Sequence, residues 1–124
     1  MAMTIMIVDD SATMLMSLKT ALSMSGFVVE QASSGPAALE KLKAGVKPNL
    51  IITDVNMPGM TGLELIEKVR ALSGFRFTPI LTLTTESETS KREEAKRLGA
   101  TGWLVKPIAG TDLVKVIKQV LPGA

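Results

Sequence analysis

Five short apolar runs, each followed by a stretch with helical spacing, constrain this chain more than any other feature of its 124 residues. The runs are 4–8 (TIMIV), 27–32 (FVVEQA), 50–53 (LIIT), 79–83 (PILTL) and 103–105 (WLV). The first is followed by 11–26, where Leu15, Leu18 and Leu22 share a helical face before Gly26. Next come 35–45, with Pro36 in its first turn, and 61–72, with Leu63, Ile66 and Val69 or Arg70 along one flank. The segment 88–99 is very polar, and 110–123 is amphipathic and stopped by Pro122. Strands that read apolar at every position, rather than every second one, belong to parallel sheets covered by helices on both faces. Parallel neighbours need right-handed crossovers, so this alternation leaves one economical architecture: an α/β, (βα)5 doubly wound open sheet. The length suits one domain with one core, and no linker, repeat or low-complexity tract interrupts it. Because the last helix uses up the chain, residues 1–124 are expected to form a single domain without an output domain.

Composition removes several classes of function. There is no cysteine and no histidine. Disulfides, thiolate chemistry, imidazole zinc sites and a Ser-His-Asp triad are therefore excluded. The net charge is only +2 and aromatics are 3% of the residues, so the stacking platforms used on single-stranded nucleic acid are missing. No nucleic-acid partner is expected. No apolar run approaches the roughly 18 residues of a membrane span, and the N-terminus has no basic segment leading into an apolar one. Neither a membrane segment nor a secretory signal is expected, and a cytoplasmic location fits the lack of cysteine.

In doubly wound sheets, ligands bind at the carboxyl ends of the strands. There the first strand delivers Asp9 and Asp10, the third Asp54, Val55, Asn56, Met57 and Pro58, the fourth Thr84, Thr85 and Glu86, and the fifth Lys106 and Pro107. Adjacent carboxylates at the end of a buried segment are costly to desolvate and repel each other. A hard divalent cation is the natural remedy, and an oxygen-only ligand set with water suits Mg²⁺. With a cation in place, Asp54 could act as a nucleophile towards phosphorus. Thr84 could donate to a phosphoryl oxygen, and Lys106 could balance the added charge. Each residue alone also has an ordinary structural role open to it. Asp9 and Asp10 before Ser11 can cap a helix, Asp54 can serve a turn, Thr84 can cap through its hydroxyl, and Lys106 can be a solvated lysine. Placement after four different strands of one sheet favours the shared site.

The motifs IVDDS, IITDVNMPGMTGLELI, LTLTTE and GWLVKP, in this order and at these spacings, resemble response-regulator receiver domains over the whole chain. The likeness is greatest to the stand-alone chemotaxis regulators. Receiver domains are themselves a standard instance of the flavodoxin-like strand order 2-1-3-4-5, so that order is implied by the resemblance. The resemblance further implies that Asp54 is the phosphoacceptor for a histidine kinase. It implies that Asp10 and Asp54 bind Mg²⁺ directly, Asp9 largely through water, and Asn56 through its backbone carbonyl. Thr84 would move to the phosphoryl group and Lys106 would pair with it, aimed inward by a cis Lys106-Pro107 peptide. Asn56 and Glu86 would border the water that dephosphorylates the acceptor. Trp103 would occupy the aromatic switch position on the fifth strand. The implied protein is a phosphorylation switch, not an enzyme beyond self-directed phosphotransfer and autodephosphorylation. It would be monomeric by default and control a protein target such as a flagellar motor switch component through the fourth helix, fifth strand and fifth helix.

Some residues depart from the family pattern. Trp103 stands where tyrosine or phenylalanine is usual, and its larger ring carries a donor that needs a partner and can limit its rotation. A tryptophan merely packed between the last two helices is the alternative. Thr85 stands where alanine or glycine is more common, and its bulk is expected to narrow access for small phosphodonors. The fourth helix has little apolar surface beyond Ala95 and Leu98. Lys91, Arg92, Lys96, Arg97 and Lys115 could make this side basic and favour acidic partners. Met14, Met16 and Met24 on the first helix suit core, surface or adaptable docking. Three other functions compete: a phosphate sink or phosphorelay partner outside chemotaxis, a receiver-like module that is never phosphorylated, and an aspartyl phosphatase or phosphotransferase resembling haloacid dehalogenases. The last needs a second acid two residues after the nucleophile, where this chain has Asn56.

Overall fold

The computed structural model describes residues 2–124. The expected alternation is present throughout. Strand β1 spans Thr4–Val8, β2 Val28–Ala32, β3 Leu50–Thr53, β4 Ile80–Thr84 and β5 Gly102–Val105. Helix α1 spans Ala12–Met24, α2 Gly35–Lys43, α3 Gly62–Ala71, α4 Thr89–Leu98 and α5 Gly110–Val120. All strand pairs are parallel, in the order β2-β1-β3-β4-β5. The fold is thus the doubly wound, flavodoxin-like sheet that the alternation and the resemblance imply. None of the helices among the described residues is long and apolar enough to cross a membrane.

Alternation along the strands splits the interior into two layers. Met6, Val8, Ile51 and Ile80 point to the face covered by α2, α3 and α4, where they meet Leu39, Leu42, Ile66, Val69 and Ala95. Ile5, Ile7, Leu50, Ile52, Leu81 and Leu83 point to the face covered by α1 and α5, against Leu15, Leu18, Leu22, Leu113 and Ile117. Side chains of this size contribute about 1.5–3 kcal/mol each when fully buried, so both layers fix the sheet firmly between its helices. Only β1, β3 and β4 are buried nearly throughout; β2 and β5 are half exposed. The uniform apolar reading of the sequence is correct for the inner strands. The edge strands have one neighbour each, and solvent reaches their free side.

Local chemistry fixes where helices begin and end. Ser11 caps α1 by accepting from the Met14 amide at 3.2 Å. Thr61 and Glu64 form a reciprocal capping box at the start of α3. Gly99 ends α4 with φ of 111°, a left-handed conformation that side chains with a Cβ resist. Strand β4 runs one residue further than the apolar run, so Thr84 is its last residue rather than the first of the loop.

Candidate functional site

Register brings the four signature segments to one edge. Val8 pairs with Thr53, and Thr84 with Val105, so Asp9, Asp54 and Lys106 each stand one residue beyond the sheet. One oxygen from each of Asp9, Asp10 and Asp54 falls within a cluster no wider than 4.8 Å. Asp9 is buried, Asp54 half-buried and Asp10 exposed. The Lys106 ammonium reaches into this cluster, donating to Asp9 Oδ2 at 2.8 Å and Asp54 Oδ2 at 3.3 Å. The Lys106-Pro107 peptide is cis. Burial pulls the Lys106 pKa down, but the Asp9 hydrogen bond and the charges of Asp54 and Asp9 outweigh it and hold the group above its ordinary value.

The ordinary roles weighed for these residues coexist with the cluster. Asp9 Oδ1 accepts from the Ser11 amide at 2.9 Å, so one oxygen steadies the start of α1 while the other faces Lys106. The helix cap itself is Ser11. Asp54 Oδ1 accepts from the Val55 amide at 2.7 Å, leaving Oδ2 towards the ammonium. Thr84 is fully buried and accepts from the Glu86 amide at 3.2 Å, which leaves its own proton to donate. It caps a turn and no helix.

Glu86 is the node of the β4–α4 loop. Its carboxylate accepts from the Glu88 amide at 3.2 Å and from Asn56 Nδ2 at 3.4 Å, and it pairs with Lys91 at 3.2 Å. The Glu88 amide and the Lys91 ammonium hold its pKa below the usual carboxylate value. Its carbonyl accepts from Trp103 Nε1 at 3.0 Å. The indole donor thus has its partner, and Trp103 is joined to Thr84 through one intervening residue. The ring is half-buried against the α4 side of the sheet rather than wedged between the last two helices, and it lines a groove of about 470 Å³ with Arg92, Ala95 and Lys96. Of the expected basic set, Arg92 and Lys96 meet in this groove beside Glu93, whereas Lys91 is engaged by Glu86. Arg97 instead lines the α3–α4 cleft with Glu64, Glu67 and Glu94.

Sequence reasoning missed one residue that supports the site, Gly62, and one that braces the opposite end of the sheet, Arg70. Gly62 opens α3 with its backbone pressed on residue 54, and a Cβ there would collide with the Asp54 carbonyl and Val55 Cα. A glycine in the first turn of a well-capped helix, where propensity disfavours it, was the available signal. Arg70 donates to the carbonyls of Gly99, Phe75 and Thr78 at 2.7–3.2 Å, tying the α3–β4 loop to the end of α4. Its signal was an arginine where the helical pattern also admits an apolar residue.

A parallel five-stranded sheet with this acidic and basic cluster at its carboxyl edge defines a receiver, and the chain belongs to that family: it matches the response regulator receiver domain over residues 5–118. It is therefore a signalling regulator by family. Chemotaxis protein CheY1 of Helicobacter pylori is 39% identical over 120 residues, covering 96% of this chain and 97% of that protein. Chemotaxis protein CheY of Pseudomonas aeruginosa is 37% identical over 119 residues, covering 95% of each. The solved structure of chemotaxis protein CheY4 of Vibrio cholerae superposes with a TM-score of 0.93 at 43% identity, covering 98% of this chain and all of that one.

Proposed function

We propose that this chain is a phosphorylation-activated switch of a two-component system, in which Asp54 accepts a phosphoryl group from a histidine kinase. The convergence of Asp9, Asp10 and Asp54 with Lys106 and Thr84 at one sheet edge carries this reading. The carboxylate oxygens are a hard donor set that fits Mg²⁺. Asp9, Asp10, Asp54 and the Asn56 carbonyl would hold the ion, which would neutralise the charge gathered there. An Asp54 carboxylate oxygen would form the new bond to phosphorus as the phosphorus–nitrogen bond to the kinase histidine breaks, the electron pair leaving with the imidazole.

The aspartyl phosphate would add about −1.5 to −2 charge units and three acceptor oxygens. Lys106 would follow that charge, and Thr84 would donate its free proton to a phosphoryl oxygen. Moving Thr84 would draw on the Glu86 amide, and hence on the carbonyl that holds Trp103. The equilibrium between two positions of the β4–α4 loop would then control the groove between α4 and β5. Asn56 and Glu86 would border the path of the hydrolytic water. The names of the relatives and this residue pair support a role in chemotaxis; the target would be a flagellar motor switch component and the working state a monomer.

The test is intact mass after incubation with Mg²⁺ and acetyl phosphate, and separately with a phosphorylated histidine kinase. Asp54→Asn and chelator-treated samples run alongside. A labile adduct that needs both Asp54 and Mg²⁺ is expected. An adduct from the kinase alone, with labelling by acetyl phosphate restored in Thr85→Ala, would assign exclusion of small donors to Thr85. No adduct from either donor would replace this reading with the unphosphorylated interaction module.

A further inference from the structure

The pole opposite the phosphoacceptor site has features that its chemistry leaves unused. Phe75 and Phe77 flank Arg76 in the loop between α3 and β4. Phe75 is buried, while Phe77 is 89% exposed, more than any other large apolar side chain described. A lone exposed apolar side chain is ordinary. This one is held in place: Arg70 donates to the carbonyls of Phe75 and Thr78, fixing the backbone on both sides of Phe77. The ring forms one wall of a groove of about 520 Å³, with buried Pro48 and half-buried Pro79 also lining it.

The charge around this groove has one sign. The Arg76 guanidinium lies 5.9 Å from the Phe77 ring centroid, and the Lys47 ammonium lies beside Gly74. The segments 25–27, 44–49, 72–79 and 99–101, which connect helices to strands at the amino end of the sheet, contain no aspartate or glutamate. Helix ends alone explain some cations here, because Lys41, Lys43, Lys68 and Arg70 sit in last turns, where they complement the helix dipole. Lys47 and Arg76 lie in loops and fall outside that explanation.

From the clamped aromatic, the groove and the uniform charge, we infer that the Pro48–Phe77–Pro79 face is a second docking surface, which takes an acidic protein segment carrying an apolar side chain. Aromatic and arginine side chains are the types enriched in such interfaces, and the loop cations would steer an acidic segment onto the ring. The face is remote from Asp54, so its occupancy does not depend on phosphorylation, and the chain could hold one partner constitutively while switching another.

The test follows amide resonances of the isotopically labelled full chain during titration with a synthetic peptide alternating glutamate and leucine. Shifts should be confined to 44–49 and 72–79, persist in Asp54→Asn, and weaken as salt is raised. The double variant Arg76→Glu/Phe77→Ser, its fold checked by circular dichroism, should bind at least about tenfold more weakly. Absence of shifts in those segments would overturn the inference, as would equal response to a lysine–leucine peptide. So would phosphatidylserine vesicles binding through Phe77 where the acidic peptide does not, or concentration-dependent sedimentation abolished by Phe77→Ser, which would assign the face to a second copy of the chain.

Discussion

Replacing Arg70 by methionine should separate what holds the α3–β4 loop from what merely surrounds it. The substitution keeps the aliphatic stem and removes a guanidinium that serves three carbonyls: Gly99 at 2.7 Å, Phe75 at 2.8 Å and Thr78 at 2.7 Å. Burial lowers the pKa of this guanidinium, so part of its hydration has been exchanged for these bonds. Hydrogen bonds to a charged donor contribute about 1.5–3 kcal/mol each when net terms are counted. Water can replace some of them at the exposed edge of the loop, which brings the expected loss to about 3 kcal/mol. For a domain of this size that corresponds to roughly 12 °C in Tm. Urea unfolding followed by far-ultraviolet circular dichroism gives the equilibrium value, and hydrogen exchange should show the loop amides near Phe75 and Thr78 opening first. Arg70→Lys should recover no more than about a third, because one ammonium cannot span Gly99 and the Phe75–Thr78 pair together. A methionine variant within about 0.5 kcal/mol of the parent, or full recovery by lysine, would refute the clamp.

Gly62→Ala should cost about 1–3 kcal/mol, because its Cβ meets the Asp54 carbonyl and the backbone must shift. Thermal unfolding checks the cost, and a slower phosphorylation rate should accompany it. Thr82 carries a buried hydroxyl with no hydrogen-bond partner among the described residues. Thr82→Val should therefore stabilise by about 1 kcal/mol in urea titration, and destabilisation would mean that the hydroxyl is satisfied. Lys106→Met leaves buried Asp9 and half-buried Asp54 without their shared cation. Its stability in chelator should fall by about 3 kcal/mol, and Mg²⁺ titrated calorimetrically should bind it more tightly than the parent. Glu86, held below the usual carboxylate value by the Glu88 amide and Lys91, contributes stability present above the unfolded carboxylate pKa. That contribution is lost as pH falls through the lower folded value. Carbon-detected titration should show the depressed midpoint, and Lys91→Ala should move it upward.

The alternation of apolar runs and helical segments determined the sheet class, because a strand apolar on both faces has no stable place outside a covered parallel sheet. The same one-dimensional pattern named Asp9, Asp10, Asp54, Thr84 and Lys106, since chemistry in such sheets collects where strands end. Edge exposure of β2 and β5 was not written in the runs, because burial of an edge depends on which strand lies beside it. The partners of Glu86 were equally out of reach: Asn56 in the β3–α3 loop, Lys91 on α4 and Trp103 on β5 meet around it only when β3 and β5 flank β4 and α4 packs over them. Sequence placed Arg70 on a helix flank, but the carbonyls it bonds lie up to 29 residues away and are aligned by the turns that follow α3 and α4. Local pattern specifies elements and their ends; long-range hydrogen bonds depend on the register and packing that bring those ends together.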